Sequence, residues 1–589
     1  MLSRGWRKSV AANCLSWNSM RAIRQSQRCV QLHMQLKSSQ SVESEESPPG
    51  SLSAWQAVNE PLLEYLPGSE ERKKVEASLR RLGGQITDVP IVIGDKEVRG
   101  NALFRFQSMP FEHKSKVAKF YCASPDIMQT AIDSAMDARS RWEATPLEER
   151  ARIFLKAADL IAGKYRADVV AATMLGQGKT VYQAEIDAAA ELADFLRFNV
   201  QFAFDVTRYQ PISTKTAKNS MEYRALEGFV AAISPFNFTA IGGNLACAPA
   251  LMGNVVVWKP SETAALSSYI VYKVLREAGL PPGVINFVPA EGKVFGQSIT
   301  YSPHLAAINF TGSVPTFQWL WRKVGENLAC FKNFPRVVGE VGGKNYHLVH
   351  ESADIRHAVN NTIRSAFEYS GQKCSACSRL YVPDNIWPEF KQQLLEQHAQ
   401  IKLGSPLEFD TFMSAVIDEK SYNRIKEYVD YAHASKTLHV IAGGKTDKSR
   451  GYFVEPTIVV SENPSDRLMK EEIFGPVLTV YVYKHAEPSQ AEQLVDRTTP
   501  YALTGAIFAG EKEVLDIWKK RLLHTAGNFY INDKSTGAVV GQQPFGGARH
   551  SGTNDKAGSP AYLLRWTSPR SIKEGLTTLQ DWRYPHMVR

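Results

Sequence analysis

The sequence predicts an α/β protein with a doubly wound parallel sheet. From residue 228 onward, short runs of β-branched residues alternate with helical segments, and this alternation is typical of parallel βαβ units. The chain has 589 residues, of which 44% are apolar and 22% charged, and this length and composition fit two or three soluble domains. A sheet of this class is able to bind a nucleotide at its carboxyl edge.

The predicted elements follow each other in a regular order. Ala-rich helices are expected over residues 130–200, and short strands at GFVAAIS and NVVVWK, which begin at residues 228 and 254. A helix over residues 263–278 follows, since Gly279 ends it. Apolar residues recur there every four positions and predict one buried face. These positions are Leu266, Ile270, Val274 and Ala278.

The same alternation continues further along the chain. Strands are expected at residues 284–288 and 306–310, and a second αβ series runs from Glu340 to about Phe545. Residues 208–226 alternate polar positions without a helical period. We therefore expect an exposed hairpin arm there, able to join an intersubunit sheet with the C-terminal tail.

The positive charge of the chain is concentrated in its first 42 residues. The formal net charge is +9 at pH 7, and residues 1–42 hold seven basic side chains and no acidic one. The rest is close to neutral, which removes the main support for nucleic-acid binding. An Arg-rich, acid-free leader without a long apolar core is typical of a mitochondrial transit peptide, with a disordered basic tail as the alternative. No run of about 18 apolar residues occurs, so we expect no membrane span.

Two of the seven cysteines lie three apart in SGQKCSACSR, at positions 374 and 377. A zinc site would need further ligands, and the nearby His347 and His350 lie in a predicted strand whose residues three apart point to opposite faces. A thioredoxin-like pair usually follows the first strand of a small domain. The favoured interpretation is one nucleophilic cysteine, Cys374, with Cys377 packed as a small buried side chain.

The sequence holds no complete phosphate-loop motif. GQGKT at residues 176–180 follows an Ala-rich helix and has Thr173 where a P-loop needs its first glycine, and GGKT at residues 443–446 has His439 there. A G-x-G-x-x-G is also missing from the sequence, so a dinucleotide would be held in another way.

Three further stretches supply what a catalytic thiol requires. Asn237 in SPFNF follows a strand and offers an amide N–H to a developing oxyanion. Glu340 in GEVGGK precedes paired glycines, which suits a carboxylate that activates a water. Gly312 and Ser313 in FTGS end a strand and open a helix, where backbone N–H groups can bind a pyrophosphate.

The order of these stretches resembles that of a known family. The chain carries, in sequence, PFNF, WKPSE, FTGS, GEVGGK, GQKC and EEIFGPV. This order and spacing resemble the aldehyde dehydrogenase superfamily over about residues 90–570. Within it, the chain resembles the delta-1-pyrroline-5-carboxylate dehydrogenases over long unbroken stretches. These include SPFNFTAIGGNLACAPALMGNVVVWKPSE, FEYSGQKCSACSRLYVP and YINDKSTGAVVGQQPFGGARHSGTNDKAG.

The resemblance implies NAD-dependent oxidation of L-glutamate γ-semialdehyde, which is in equilibrium with delta-1-pyrroline-5-carboxylate, to L-glutamate, the second step of proline degradation. In the family, the cysteine of the G-Q-x-C turn is the nucleophile, here Cys374, and it forms a thiohemiacetal and then a thioester. The side chain of Asn237 and the backbone N–H of Cys374 hold the oxyanion. Glu340 activates the water that hydrolyses the thioester.

The family pattern also implies the cofactor contacts. They are Lys259 and Glu262 at the adenosine ribose, Gly312 and Ser313 at the pyrophosphate, and Glu472 and Phe474 at the nicotinamide ribose and ring. A carboxylate at Glu262 accepts from a ribose 2′-OH and repels a 2′-phosphate, which favours NAD over NADP. The helix dipole alone also favours an acid in the first turn of a helix.

The expected substrate carries a carboxylate and an amino group at the end far from its aldehyde. The resemblance implies that the backbone N–H groups of Gly537 and Ala538, in the loop STGAVVG, bind the carboxylate together with the hydroxyl of Ser375. Some relatives have serine in place of Ala538, so we expect weaker binding rather than a different substrate. The other expected contacts are Phe238 and Phe545 beside the aliphatic part and Glu191 near the amino group.

The resemblance implies an aldehyde dehydrogenase fold with a Rossmann-like NAD-binding domain, an α/β catalytic domain and a small β oligomerisation arm. The predicted ranges are 1–42 for the leader, 51–207 and 227–339 for the NAD-binding domain, 340–550 for the catalytic domain, and 208–226 and 551–589 for the arm and tail. We expect a homodimer in the mitochondrial matrix, with a small-molecule substrate, no metal and no nucleic-acid partner.

Two other functions stay open at this point. A different aldehyde dehydrogenase, acting on another acidic semialdehyde or on an aliphatic aldehyde, would use the same catalytic residues. A non-catalytic binding protein of the same fold is disfavoured, because Cys374, Glu340 and Asn237 are all present.

Overall fold

The first large sheet of the protein holds seven strands. The computed structural model in which it occurs describes residues 52–100 and 102–588, so the predicted leader at residues 1–42 lies outside the described residues. From one edge to the other, the strands are Arg336–Glu340, Leu305–Thr311, Phe229–Ile233, Val255–Lys259, Ile285–Phe287, Ile91–Ile93 and Lys96–Val98. The first five are parallel, and the last two pair antiparallel.

The strand Val255–Lys259 is buried at every residue. The helices Pro125–Ala144 and Thr239–Leu251 both pack against it. A continuous apolar run without alternation is what a parallel strand covered on both faces requires. The predicted α/β class with a doubly wound parallel sheet is confirmed. The helices between successive parallel strands are Thr239–Leu251, Ala265–Ala278, Gly292–Thr300 and Val314–Glu326.

The helix predicted at residues 263–278 begins two residues later, at Ala265. A single 3-10 turn, Glu262–Ala264, precedes it. Gly279 ends the helix with a φ of +110°, a left-handed conformation that glycine adopts without a side-chain clash. The four predicted apolar positions on this helix are all buried, so the predicted buried face is confirmed.

Residues 130–200 are almost entirely helical, as predicted. The helices of this part of the chain, with the one before it, are Glu70–Gly83, Pro125–Ala144, Leu147–Ala162, Arg166–Gln177, Val181–Ala184 and Leu192–Thr207. The last two are joined by a π-helical segment, Glu185–Glu191. Such segments are rare and are frequent at functional sites. In the described part of the chain, no helix combines the length and the apolar character needed to cross a membrane.

The second large sheet also has seven strands. In order across the sheet they are Leu438–Ala442, Thr457–Ser461, Val477–Tyr483, Cys377–Pro383, Asn345–Val349, Thr504–Phe508 and Asn528–Ile531. All neighbours pair in parallel except the first two. The helices of this part are Ile355–Phe367, Trp387–His398, Glu419–Ala434, Arg467–Lys470, Pro488–Arg497 and Lys512–Arg521. The predicted second αβ series is confirmed.

The predicted hairpin at residues 208–226 and its pairing with the C-terminal tail are both found in a small sheet within this chain. This segment supplies one strand, Ala217–Arg224, which pairs antiparallel with Ser568–Gly575 near the C-terminus. Gln210 bonds to the backbone of Met221 through its Nε2, at 3.1 Å, and its Oε1, at 2.8 Å, and so joins the two sides of the hairpin. A three-stranded sheet has the order Thr87–Val89, Glu112–Cys122 and Leu103–Met109. Two two-stranded sheets pair Thr446–Asp447 with Phe453–Val454 and Tyr501–Ala502 with Ala548–Arg549. The last α-helix is Pro560–Leu564.

The lysine of GQGKT has a structural role. Lys179 is buried, and its Nζ donates to Asp187 Oδ2 at 2.9 Å. The same carboxylate accepts the backbone N–H groups of Thr239 and Ala240, at 3.0 and 2.9 Å, at the start of the helix Thr239–Leu251. A carboxylate is favoured at a helix N-terminus by the dipole and by the free N–H groups there. This pair therefore fixes the helix that directly follows Asn237.

We predict that Asp187→Ala lowers the free energy of unfolding by about 3–5 kcal/mol, because it leaves the Lys179 ammonium buried without a counter-charge. Equilibrium urea unfolding measures the change. The double variant Lys179→Met with Asp187→Ala should recover part of the loss, since methionine leaves no buried charge. A double variant no more stable than the single one would contradict this role for the ion pair.

Candidate active site

The predicted functional residues of the first sheet lie at one edge. Thr311 pairs with Glu340, and Ile233 pairs with both Phe310 and Lys259, so four parallel strands end at the same level. The chain reverses its direction across the sheet between Phe229–Ile233 and Leu305–Thr311. Ligands of doubly wound sheets bind at such a reversal, outside the carboxyl ends of the strands. Lys259 and Glu340 are the last residues of their strands, and Asn237, Glu262, Gly312 and Ser313 lie shortly after strand ends.

Cys374 reaches this edge from the second sheet through a strained turn. Tyr369 and Ser370 have φ of +52° and +55°, and a non-glycine residue in this region costs about 1–3 kcal/mol. Tyr369 Oη donates to the Gln177 carbonyl at 2.8 Å, and Ser370 Oγ donates to the Ser414 carbonyl. These bonds hold the turn in place immediately before Cys374.

Asn237 lies beside the cysteine turn. Its side chain is buried, and Nδ2 donates to the Gln372 carbonyl at 3.0 Å. Because Gln372 is two residues before Cys374, this bond holds the amide of Asn237 next to the turn that carries the thiol. An amide N–H fixed there is suited to an oxyanion formed on the substrate.

Cys374 and Glu340 lie where two cavities meet. One cavity has a volume of about 110 Å³ and the other of about 760 Å³. Four residues line both: Ile241, Thr311, Glu340 and Cys374. A thiol and a carboxylate are therefore accessible to a ligand in either cavity.

The smaller cavity collects the six residues expected at the substrate. Its lining includes Glu191, Phe238, Ser375, Gly537, Ala538 and Phe545. Gly537 has a φ of +85°, which places it in the region that glycine adopts most readily. The six come from four separated stretches of the chain, which the fold brings around one space.

The larger cavity contains four of the six expected cofactor residues. These four are Gly312, Ser313, Glu472 and Phe474, and Asn237 also lines this cavity. Glu472 Oε1 accepts the backbone N–H of Gly343 at 2.9 Å. The ring of Phe474 meets the ring of Phe236 edge to face, with centroids 5.8 Å apart. An extended cavity with backbone N–H groups near a helix start at Ser313 fits a dinucleotide.

Lys259 and Glu262 are placed at the same sheet edge but do not line that cavity. Lys259 is buried and its Nζ donates to the Pro260 carbonyl at 3.4 Å. Glu262 Oε2 accepts from Arg105 Nη1 at 2.8 Å. The two residues stay predicted contacts of the adenosine ribose, and Arg105 is a neighbour that the sequence pattern did not indicate.

Burial controls the protonation of the central pair. It raises the pKa of Cys374 to about 12, with the negative charges of Glu340 and Glu472 as further causes, while the backbone N–H of Ser375 favours the thiolate. Burial also raises the pKa of Glu340 well above its ordinary value. Glu340 Oε2 accepts the Gly547 N–H at 3.1 Å, which favours the charged form. Both groups hold their protons more tightly than in water, so a proton acceptor must act when the thiol reacts.

The structure adds two lysines that sequence reasoning missed. Lys373 Nζ lies 2.8 Å from Glu368 Oε2, and Lys534 Nζ lies 3.6 Å from Glu368 Oε1. All three side chains line the smaller cavity. A lysine directly before Cys374 and another three residues before Gly537 were the signals available in the sequence.

Glu191 lies in the π-helical segment and lines the smaller cavity. Burial raises its pKa to about 8, and the charge of Asp187 acts in the same direction while Lys179 opposes it. A carboxyl group that titrates near neutral pH is therefore exposed to a ligand of this cavity. Perturbed groups of this kind are typical of functional sites.

Cys377 does not take part in this arrangement. Its side chain is buried in a hydrophobic core with Leu380 and Phe367, and its Sγ donates to the Arg379 carbonyl at 3.4 Å. The prediction of a packed side chain is confirmed. Within residues 52–100 and 102–588, no three His, Cys, Asp or Glu side chains are grouped as metal ligands.

The family model described as aldehyde dehydrogenase family matches residues 105–572. The chain therefore belongs to the aldehyde dehydrogenase family, and the predicted aldehyde dehydrogenase fold is confirmed. Two relatives at 58% identity are named mitochondrial delta-1-pyrroline-5-carboxylate dehydrogenase. The Danio rerio protein aligns over 91% of this chain and 96% of its own, and the Homo sapiens protein over 91% and 95%.

Solved structures of similar proteins agree with this assignment. The delta-pyrroline-5-carboxylate dehydrogenase of Mycobacterium tuberculosis bound with NAD has a TM-score of 0.88 at 45% identity, over 91% of this chain and 98% of that one. The 1-pyrroline-5-carboxylate dehydrogenase from Thermus with bound NAD has a TM-score of 0.83 at 30% identity, over 88% and 99%.

Proposed function

We propose that this chain oxidises L-glutamate γ-semialdehyde, which is in equilibrium with delta-1-pyrroline-5-carboxylate, to L-glutamate, with NAD as the hydride acceptor. The observation that carries the proposal is the position of Cys374 and Glu340 between two cavities. One of these cavities is lined by the charged groups of Glu191, Glu368, Lys373 and Lys534, and the other fits a dinucleotide. Relatives named for this activity at 58% identity support it.

The smaller cavity matches the substrate in charge and shape. Backbone N–H groups of Gly537 and Ala538 bind the carboxylate, with the Ser375 hydroxyl and the positive charges of Lys373 and Lys534 nearby. Glu191 accepts from the amino group. The rings of Phe238 and Phe545 flank the aliphatic part, so the aldehyde carbon is directed to Cys374.

Cys374 releases its thiol proton to solvent in the cavity, and the resulting thiolate attacks the aldehyde carbon to form a thiohemiacetal. The side-chain N–H of Asn237 and the backbone N–H of Cys374 donate to the resulting oxyanion. When bound, NAD supplies the acceptor for the hydride that leaves this carbon. The oxidised carbon then remains attached to Cys374 as a thioester.

Glu340 completes the reaction by taking a proton from the water that attacks the thioester. Its carboxylate is held by the Gly547 N–H, and the charge of Lys556 favours its ionised form. Paired glycines directly after Glu340 leave room for the carboxylate to turn towards Cys374. Hydrolysis releases L-glutamate and regenerates the thiol.

The residues of the larger cavity would hold NAD. Backbone N–H groups near Gly312 and Ser313, at the start of the helix Val314–Glu326, suit the pyrophosphate. Glu472 and Phe474 suit the nicotinamide ribose and ring. Lys259 and Glu262 are proposed at the adenosine ribose, where the Glu262 carboxylate accepts from a 2′-OH and disfavours a 2′-phosphate.

We also propose a homodimer located in the mitochondrial matrix. The basic, acid-free composition of residues 1–42 and the naming of the relatives as mitochondrial support the compartment. Exposed apolar side chains after the strand Ser568–Gly575 support an interface between copies. They are Leu576, Leu579, Trp582 and Tyr584. The predicted domain ranges are part of this proposal.

We predict that purified protein with NAD has its highest kcat/KM for delta-1-pyrroline-5-carboxylate, compared with succinate semialdehyde and hexanal. The charged residues of the smaller cavity favour a ligand with both a carboxylate and an amino group. Succinate semialdehyde lacks the amino group, and hexanal lacks both. NADH absorbance measures all three rates. A higher specificity constant for either competitor would replace the proposed substrate with another aldehyde.

We predict that Glu340→Gln accumulates the thioester. NADH should form in a burst of about one per active site, followed by turnover at least about 100-fold slower than in the unaltered protein, because the hydrolysing water loses its base. Stopped-flow absorbance separates the two phases. Cys374→Ala is the matched control and should show neither phase while still binding NAD. A Glu340→Gln variant with no burst would assign this residue to the earlier steps instead.

We predict that L-glutamate binds more tightly as pH rises from 7 towards 8. The pKa of Glu191 is about 8 in the free protein, so the neutral carboxyl must lose its proton to pair with the ligand ammonium. Because binding then releases one proton, the affinity can increase by up to about tenfold for each pH unit. Titration calorimetry measures the affinity. Glutarate, which has no amino group, should show no such gain, and Glu191→Gln should abolish it. An equal pH dependence for both ligands would contradict this role.

A further inference from the structure

A segment near the start of the described chain wraps over the helices that carry Glu191. Residues 57–65, which we call the strap, form neither helix nor strand. The Ala57 N–H donates to Gln201 Oε1 at 2.8 Å, and the Leu63 N–H and Tyr65 Oη donate to Glu185 at 3.0 and 2.6 Å. Fixing an irregular segment costs backbone entropy. These long-range hydrogen bonds offset that cost and hold the strap in one position on the helices.

Arginines of the helical layer add ion pairs to the strap. Arg166 Nη1 and Arg197 Nη1 both donate to the Glu60 carboxylate at 2.6 Å. Arg166 Nη2 also donates to the Pro61 carbonyl at 2.7 Å. The Arg166 and Glu60 side chains are about 10% exposed, so solvent screens this pair much less than a surface pair.

Asn59 is the point where the strap meets the substrate site. Its Nδ2 donates to Asp194 Oδ2 at 2.7 Å and to the Val540 carbonyl at 2.8 Å. Its Oδ1 accepts from Gln542 Nε2 at 3.0 Å. Both amide N–H groups and the amide oxygen are thus engaged. No other side chain of similar size provides two donors and one acceptor in this arrangement.

These bonds fix one end of the loop that is proposed to bind the substrate carboxylate, residues 535–541. The other end is fixed by Ser535, whose Oγ donates to the Ser375 carbonyl at 3.2 Å and bonds to Ser365 Oγ at 2.8 Å. Gly537 and Ala538 lie between the two anchors. Val540 itself is buried and lines the smaller cavity.

The same amide connects the loop to the helix next to Glu191. Asp194 lies in the helix Leu192–Thr207, which begins directly after Glu191. Its Oδ1 also accepts the Glu60 N–H at 2.6 Å. Asn59 therefore connects the helix next to Glu191, which is proposed to contact the substrate amino group, with the loop 535–541, which is proposed to bind the substrate carboxylate.

We propose that Asn59 is a positioning residue for substrate selection. By bridging Asp194 and the Val540 carbonyl, it sets the separation between Glu191 and the N–H groups of Gly537 and Ala538. This inference rests on the proposed function, because it assigns those groups to the two ends of glutamate semialdehyde. Asn59 contacts neither Cys374 nor Glu340, so the chemical steps themselves do not depend on it.

The test compares two aldehydes in the full-length protein. Asn59→Ala should lower kcat/KM for delta-1-pyrroline-5-carboxylate about tenfold, chiefly through KM, since two hydrogen bonds to the loop anchor and the helix are lost. Its kcat for this substrate should stay within about twofold of the unaltered protein. The kcat/KM for hexanal, which has no groups for either end of the site, should also change by less than about twofold.

Three further variants make the result specific. Asn59→Asp should have a larger effect than Asn59→Ala, because a carboxylate would face Asp194 and the Val540 carbonyl without donors. Gln542→Ala removes an exposed partner of Asn59 and should shift the same ratio in the same direction by a smaller factor. Gln201→Ala is the matched control, since it removes a strap anchor at Ala57 that does not touch the loop, and the ratio should not move.

The outcomes separate the two proposals. If the unaltered protein does not favour delta-1-pyrroline-5-carboxylate, the proposed function fails. If it does, and both Asn59→Ala and Gln542→Ala leave the ratio of the two specificity constants unchanged, the role of Asn59 is wrong. An equal shift in Gln201→Ala would overturn it too, because general loosening of the strap would then explain the effect. Thermal unfolding and NAD binding verify that each variant is folded.

Discussion

The hydrogen bond from Asn237 Nδ2 to the Gln372 carbonyl, 3.0 Å long, joins the two large sheets beside the proposed catalytic thiol of Cys374. Asn237 follows a strand of the first sheet, and Gln372 belongs to the turn that leads into the strand Cys377–Pro383 of the second. The position of the Cys374 thiol relative to Glu340 therefore depends on contacts between the first and the second large sheet. Asp187 also helps to hold Asn237 in place, because it accepts the first N–H groups of the helix that begins two residues after Asn237.

Burial is the second condition for this chemistry. Burial raises the pKa values of Cys374, Glu340 and Glu472, although all three keep some surface at the larger cavity. In such surroundings the N–H donors around the reacting carbon act more strongly than they would in water.

The sequence predicted the parts of the site that follow strand ends. Motifs at the ends of parallel strands meet at one edge, so Asn237, Ser313 and Glu340 could be brought together before any coordinates were known. Contacts between side chains far apart in sequence could not be predicted in this way. Arg105 pairs with Glu262 across 157 positions, and Asn59 donates to the Val540 carbonyl across 481. No local pattern specifies such partners, because each polar side chain alone is compatible with many of them.

Ala538 has no side-chain donor, and this connects the proposed carboxylate site to the strap. The proposed carboxylate site consists of the backbone N–H groups of Gly537 and Ala538, the Ser375 hydroxyl and the charges of Lys373 and Lys534. A backbone N–H cannot rotate towards its ligand as a hydroxyl can, so its contribution depends on where the loop is held. The loop is held at one end by a buried serine and at the other by the Asn59 amide. In the proposed site, recognition of the carboxylate would therefore depend on Asn59, which lies outside the cavity and 481 positions before Val540 in the chain.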